Sequence, residues 1–205
     1  VSKYLTTLLP VPEILWVRYL CFAFFGFVLA IYLGGFQALR TKILIIQILR
    51  GLALVSEIIL FTYSFRYLPL ADAHVMAATV PLMVLALAVP ILGEKVGFRR
   101  WLAVIIGFLG ILIILRPGFE EWNPILILPL LGAVGFAVYL VLTRMAARHD
   151  SVGTSAFYTG IVGFIVLSFM VPTQWESPTI QEWGWLIVAS ILGLVAHISI
   201  MKGLT

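Results

Sequence analysis

The chain has 205 residues, of which 62% are hydrophobic and 11% are charged, and its formal net charge is +4. An average soluble domain carries about 25% charged residues, so this chain has too few charges to cover the surface of a soluble protein of its size. The composition predicts an integral membrane protein. The single cysteine, Cys21, excludes an intrachain disulfide.

Seven long apolar segments follow one another, and each is close to the twenty or so residues that a helical span requires. They cover about residues 14–39, 43–65, 70–92, 101–115, 125–143, 155–171 and 183–201. The connectors are short, and the sequence lacks the alternation in ten-residue blocks that is typical of membrane β-strands. We therefore predict an all-α membrane protein, a multi-span helical bundle.

The third segment shows the pattern most clearly. It contains no lysine, arginine or glutamate between Leu70 and Leu92, and it is interrupted by Pro81 and Pro90. At about 1.5 Å per residue, a helix of this length matches a hydrocarbon layer about 30 Å thick. Because a mid-span proline removes a backbone hydrogen bond, Pro81 is a candidate hinge, and a merely structural kink is the alternative.

Basic residues are unevenly divided between the two alternating sets of connectors. One set holds seven: Arg40, Lys42, Lys95, Arg99, Arg100, Arg144 and Arg148. The other set holds three (Lys3, Arg66 and Arg116) among six acidic residues. Because short cytoplasmic loops are rich in lysine and arginine, the first set is predicted to be cytoplasmic. The first segment then enters from outside, and an odd number of spans is expected before it.

An inverted repeat follows from this topology. The second segment ends near Arg66 outside and the seventh near Lys202 inside, each after a turn of mixed polar and aromatic residues. With a five-span unit these two segments become the third helix of each half, in opposite orientations, as in many transporters. Pairs of glycines three residues apart also predict close helix packing: Gly107 and Gly110, Gly132 and Gly135, and Gly160 and Gly163.

Several blocks share their order and spacing with a known family. The block FRYLPLADA at 65–73 is followed by Pro81-Leu82, by LGEK at 92–95, by Trp101 and by the run from Gly107 to Gly118. Segments 139–144, 150–163 and 183–197 continue the pattern. In these residues the chain resembles the drug/metabolite transporter superfamily, in its EamA-type branch.

The resemblance implies ten helices in two inverted repeats. Residues 1–118 would form the first EamA-like repeat (helices 2–5, without helix 1), and residues 119–205 the second (helices 6–8, without helices 9 and 10). It also implies a secondary transporter of the bacterial cytoplasmic (inner) membrane that moves a small organic metabolite by alternating access. The residues at 68–72 and at Ala196-His197 resemble members assigned to riboflavin or S-adenosylmethionine uptake.

Seven polar or aromatic residues are candidates for the substrate pathway or for coupling to protons: Glu57, His197, His74, Arg18, Tyr139, Tyr158 and Thr143. Glu57 is the most informative, because a carboxylate near a helix centre costs about 2.5–3.5 kcal/mol and should face a cavity or a partner. The alternative is a glutamate that joins two helices by hydrogen bonds.

The other candidates also have structural alternatives. His197 could titrate or bind substrate, or could join two helices. His74 could line an outer vestibule or lie in the interfacial zone. Arg18 could extend its side chain to the interface or meet an anionic group near the outer mouth, whereas Arg50 is expected to extend its side chain to the interface. The aromatic candidates could stack on an organic substrate or anchor the interface.

Enzyme signatures are absent from the sequence, including HExxH, GxSxG and GxxxxGK[ST]. We therefore predict no catalytic residue, no metal and no cofactor, and the basic residues do not form a nucleic-acid-binding face. The expected partners are the lipid bilayer, a small organic metabolite and protons. The sequence leaves the oligomeric state open, and a homodimer is one of the options. The alternative function is a non-transporting seven-helix receptor or scaffold.

Overall fold

The computed structural model describes residues 2–93, 97–115, 124–173 and 175–204. Within these ranges the secondary structure is helical: α1 (Ser2–Leu8), α2 (Val11–Gly34), α3 (Leu44–Tyr67), α4 (Leu70–Ala77), α5 (Val80–Leu92), α6 (Phe98–Leu115), α7 (Ile127–Ala147), α8 (Val152–Met170) and α9 (Ile180–Leu204), with short 3-10 turns at Gly35–Leu39, Pro124–Leu126 and Val171–Thr173. The prediction of an all-α bundle is confirmed.

The lengths of these helices agree with repeated crossing of a bilayer. In the described part of the chain, six stretches are long and apolar enough to cross a membrane: Val11–Leu39, Leu44–Tyr67, Leu70–Leu92, Pro124–Ala147, Val152–Met170 and Ile180–Gly203. Helix α6, with 18 residues, occupies the position of the predicted fourth segment and is not among these six, so the described residues support six of the seven predicted spans. The backbone polar groups of a span must be satisfied inside the span, which is why lipid favours helices here.

Local sequence signals begin several of these helices earlier than the apolar pattern alone indicates. Helix α2 starts after Pro10 and carries Pro12 in its first turn, where the missing N–H removes no helical hydrogen bond. Helix α8 starts at Val152 because the Ser151 hydroxyl accepts the backbone N–H of Thr154 at 3.1 Å.

The third segment is divided into two helices at its proline. Helix α4 ends at Ala77 and α5 begins at Val80, with Pro81 in its first turn. Since Pro81 has no N–H, the Ala77 carbonyl loses its helical donor. The Thr79 hydroxyl donates to the Met76 carbonyl at 2.7 Å, which closes the end of α4. Pro81 thus begins a new helix in the middle of the span.

The tightest packing lies between α2 and α8. A Cβ atom added to Gly26 would lie 2.6 Å from the Phe157 nitrogen, and one added to Gly153 would lie 2.7 Å from the Ala30 Cα. Gly160 faces the backbone of Ala23 equally closely. Glycine is needed at these positions because the two backbones approach too closely for any side chain.

Two of the three predicted glycine pairs lie at helix contacts. Gly160 and Gly163 face α2, and added Cβ atoms at Gly132 and Gly135 would lie 3.5 and 3.2 Å from backbone oxygens of α3. The prediction for Gly107 and Gly110 is wrong within the described residues, because nothing there lies within 4 Å of an added Cβ. Both glycines lie on α6, where the described residues leave the space beside each of them open.

The core lies where α2, α3, α7, α8 and α9 meet. Its buried side chains include Leu15, Tyr19, Phe22, Leu54, Ile58, Tyr139, Leu167 and Leu194. Many large apolar side chains point outward instead, such as Tyr32, Phe98 and Phe169. Such an exterior is expected of helices whose outer faces contact lipid.

At each end of the bundle, connectors that the charge pattern assigns to the same side of the membrane contact one another. At one end, the Thr41 hydroxyl donates to Asp150 Oδ2 at 2.5 Å and the Tyr158 hydroxyl donates to the Leu39 carbonyl at 3.0 Å. We call this the inner end. At the opposite, outer end, the Arg66 Nε donates to the Thr6 carbonyl at 3.2 Å.

Candidate functional site

A cavity of about 270 Å³ lies between α2, α3, α4, α7 and α9. Four of the seven candidate residues line it: Arg18, Glu57, His74 and His197. A second cavity of about 400 Å³ adjoins it and shares Glu57, Phe61, His74 and Phe136. Small-molecule sites have volumes of roughly 300–1,000 Å³, so this region has the size of a ligand site.

Arg18 is held in the cavity by the helix that carries it and by its neighbour α9. Its guanidinium carbon lies 5.4 Å from the centroid of the Phe22 ring, one turn further along α2. Gly193 on α9 makes room for the side chain, since an added Cβ there would lie 2.7 Å from the Arg18 Nη2. Among the residues that the structure describes, the buried Nε of Arg18 has no hydrogen-bond partner.

Glu57 lies on α3 and lines both cavities. Gly135 on α7 lies beside it, so that an added Cβ would be 3.4 Å from the Glu57 Cβ. Within the described ranges no hydrogen bond reaches the Glu57 carboxylate, and no ion pair within 4.0 Å joins it to Arg18. The structure therefore does not show the helix-joining hydrogen bond that was the structural alternative for this residue.

Aromatic side chains form the wall of the cavity near the outer end. The rings of Phe61, Phe65 and His74 form a cluster with centroid distances of 5.3, 5.8 and 5.9 Å. Phe136 on α7 lines both cavities. A flat ring of an organic ligand could stack against such side chains.

At the inner side of the cavity, His197 is bound to Tyr139. The Tyr139 hydroxyl and the His197 Nε2 are 3.0 Å apart, and the His197 ring stacks on Phe22 at 5.5 Å. Tyr139 is fully buried and is 5.7 Å from the guanidinium carbon of Arg50, measured to the ring centroid. Tyr139 therefore does not line either cavity itself but contacts His197, which lines the first one.

Arg50 does not extend to the interface, and that expectation is wrong. Its side chain is 0% exposed, and its Nη2 donates to the Ser155 carbonyl and, at 2.8 Å, to the Thr159 hydroxyl. The guanidinium also lies over the Tyr139 ring. These contacts replace part of the water around the charge, so the side chain turns into the bundle instead of outward. The buried Nε of Arg50 has no hydrogen-bond partner among the described residues.

The polar contacts continue from Arg50 to the inner end. Gln47 Nε2 donates to Asp150 Oδ2 at 2.7 Å and to the Ser155 hydroxyl at 3.3 Å. We call Thr41, Gln47, Arg50, Asp150, Ser155 and Thr159 the inner network. Sequence reasoning missed Gln47, Ser155 and Thr159. The available signal was spacing, because Gln47 and Arg50 lie three residues apart and Ser155 and Thr159 lie four apart, each pair on one helix face.

The three remaining predicted residues have different surroundings. The Tyr158 hydroxyl binds the Leu39 carbonyl at the inner end, and the Thr143 hydroxyl donates to the Tyr139 carbonyl at 2.7 Å. Neither residue lines the two cavities. Pro81, the candidate hinge, lines the second cavity at the break between α4 and α5.

Comparison with known proteins gives a consistent result. Residues 1–116 match the EamA-like transporter family. The chain is 30% identical over 201 residues to the S-adenosylmethionine uptake transporter of Rickettsia bellii (strain RML369-C), a match that covers 98% of this chain and 69% of that protein. It is 30% identical over 172 residues to the riboflavin transporter of Vibrio cholerae serotype O1, covering 83% of this chain and 58% of that protein.

A solved structure gives the same fold at low sequence identity. One crystal structure is 18% identical, with a TM-score of 0.75, over 99% of this chain and 72% of that one. The chain spans 65% of the length of the S-adenosylmethionine uptake transporter of Rickettsia prowazekii, with 30% identity over 192 residues that cover 94% of this chain. These matches therefore leave part of each relative without a counterpart in the chain.

Proposed function

Because the chain belongs to the EamA-like transporter family, we propose that its cavity binds a small organic metabolite for transport by alternating access. The chain is an integral, multi-pass protein of the cytoplasmic membrane. Ionisable residues inside a span are rare, and they commonly mark a substrate or ion pathway. The observation that carries the proposal is that Arg18, Glu57, His74 and His197, from four helices, line one cavity.

We infer the substrate class from the chemistry of this cavity. It combines a guanidinium and a carboxylate with a wall of phenylalanine rings. A metabolite with a flat ring system and charged groups would satisfy both parts. S-adenosylmethionine-like and riboflavin-like solutes are the two candidates, because relatives of the chain are transporters of these compounds.

We further propose how the parts of the chain act in transport. Residues 1–118 and 119–205 are assigned to two inverted repeats, and the family match over residues 1–116 supports the first. Opening would involve the break at Pro81, which lies beside the second cavity. The inner network would close the path towards the cytoplasm. The solute crosses without any bond being made or broken, so no residue is assigned a catalytic role.

Uptake into vesicles tests this proposal. The full-length protein is reconstituted into proteoliposomes, and accumulation of labelled S-adenosylmethionine or riboflavin is measured. A carrier should also exchange labelled solute inside for unlabelled solute outside, which a receptor or scaffold cannot do. Absence of both uptake and exchange for both compounds, with a correctly folded protein, would contradict the proposal.

A further inference from the structure

We propose that Arg18 and Glu57 form a charge clamp that selects zwitterionic solutes, in which Arg18 binds a carboxylate and Glu57 binds a cationic group. The inference rests on the proposed function and names the substrate class of the same cavity. It separates the two candidate substrates, because S-adenosylmethionine carries both kinds of group and riboflavin carries neither.

The first argument is that neither Arg18 nor Glu57 has a hydrogen-bond partner among the described residues, although the two side chains attract each other electrostatically. No hydrogen bond reaches the Glu57 carboxylate within residues 2–93, 97–115, 124–173 and 175–204, and the Arg18 Nε is buried without a partner there. Removing charges from water without compensation is costly. A ligand that supplies an opposite charge to each group would remove this cost.

The second argument is that Arg18 is fixed in position by its surroundings. Phe22 lies beneath its guanidinium and the bare backbone of Gly193 lies against its side. A held guanidinium loses little side-chain entropy on binding and presents paired N–H groups that match a carboxylate. This arrangement favours an anionic group with two oxygens over a neutral polar group.

The third argument is that the other polar groups of the cavity do not replace the clamp. The His197 Nε2 is already engaged by the Tyr139 hydroxyl. His74 belongs to the aromatic cluster with Phe61 and Phe65, on the side where a flat ring would stack. Among the described residues that line either cavity, Glu57 is the one carboxylate, so we take it as the acceptor for a cationic group.

The test uses the full-length protein in proteoliposomes. It measures the inhibition constant with which each of four probes inhibits solute uptake. The probes are S-adenosylmethionine, its decarboxylated analogue, methylthioadenosine and riboflavin. The decarboxylated analogue lacks the carboxylate, and the last two probes carry no charge. The wild-type protein should prefer S-adenosylmethionine over the decarboxylated analogue by at least about tenfold, as a charged hydrogen-bonding group contributes.

Variants then assign each charge to its residue. Arg18→Gln should abolish the preference for the carboxylate, and Arg18→Lys should restore part of it. Glu57→Gln should weaken the two cationic probes together by about tenfold and leave methylthioadenosine unchanged. Arg148→Gln, exposed at the inner end, is the matched control. Ratios between probes within one variant are independent of how much protein folds.

The possible outcomes separate this inference from the proposed function. Equal weakening of all four probes in Arg18→Gln, or a wild-type preference for an uncharged probe, would overturn the clamp and leave the transport proposal standing. A folded wild-type protein that neither binds nor transports any of the four probes would overturn both.

Discussion

At the scale of single residues, Arg50 shows how this bundle holds a charge that cannot be neutralised. An arginine stays protonated in proteins, yet this side chain has no exposed surface. A carbonyl, a hydroxyl, an aromatic face and a thioether sulfur surround it, supplied by Ser155, Thr159, Tyr139 and Met201. These partners come from α7, α8 and α9, so Arg50 on α3 joins four helices.

We expect Arg50→Ala to destabilise the protein by about 2–4 kcal/mol, because it removes hydrogen bonds from a charged group and leaves a cavity. The apparent melting temperature in detergent measures this effect. Arg148→Ala is the control, since Arg148 is exposed and its removal should change stability by less than about 0.5 kcal/mol. Equal melting temperatures for the two variants would show that the buried contacts contribute nothing.

Glu57 is the candidate for proton coupling. A carboxylate that faces a membrane cavity can exchange a proton as the cavity opens to each side. We expect Glu57→Gln to remove the response of uptake to an imposed pH gradient, because glutamine cannot carry the proton. Uptake with and without the gradient measures this response, and Glu176→Gln in the exposed outer loop is the control. A full response in Glu57→Gln would exclude Glu57 as the coupling residue.

At the scale of elements, close contact between α2 and α8 depends on glycine. We expect Gly160→Ala to cost about 1–3 kcal/mol, because the new methyl group would collide with the backbone at Ala23. Gly184→Ala on α9 is the control, since nothing described lies within 4 Å of its added Cβ. There the change should be neutral or should stabilise the helix by up to about 1 kcal/mol. The melting temperatures of the two variants should therefore move apart, and parallel shifts would contradict the packing argument.

The break between α4 and α5 is the element that we assign to movement. Pro81→Ala restores a backbone donor to the Ala77 carbonyl and should favour one continuous helix. We expect slower uptake with substrate binding changed much less, because the cavity residues remain. Pro90→Ala, inside α5 and further from the break, is the control. Unchanged uptake in Pro81→Ala would leave Pro81 with a structural role alone.

At the scale of the whole molecule, two sets of contacts hold the ends of the bundle. Glu13 accepts the Glu176 N–H at 3.1 Å at the outer end, and Asp150 accepts Thr41 and Gln47 at the inner end. Each set joins connectors that are far apart in sequence. The charge pattern assigns the end with Asp150 to the cytoplasm.

Cysteine labelling tests this orientation. In a Cys21→Ala background, a membrane-impermeant maleimide applied to intact cells should label Ser177→Cys. It should label His149→Cys and Gly97→Cys only after the cells are permeabilised. All three positions are exposed in the structure, so a difference in labelling reports the side of the membrane. Labelling of Gly97→Cys in intact cells would overturn the topology.

The sequence predicted most of the fold because lipid leaves a chain few options. A polypeptide that crosses hydrocarbon must satisfy its backbone internally, so long apolar segments become helices. It also identified Arg18, Glu57, His74 and His197 one at a time, as costly polar residues within apolar runs. It did not identify Gln47, Ser155 or Thr159, because placing an uncharged polar side chain in a span costs less free energy than placing an ionisable one. Such residues are therefore a weaker signal in the sequence.

The sequence by itself determined that this chain is a helical membrane protein, which of its residues are too polar to face lipid, and which connectors belong together. The tertiary structure alone decided that the four ionisable residues meet in one cavity, that Tyr139 contacts one of them, His197, and that Arg50 turns inward. The physical reason is that composition and periodicity indicate whether a helix is surrounded by lipid or by water. The rotation of each helix against its neighbours is set by packing, here by glycines that let two backbones touch.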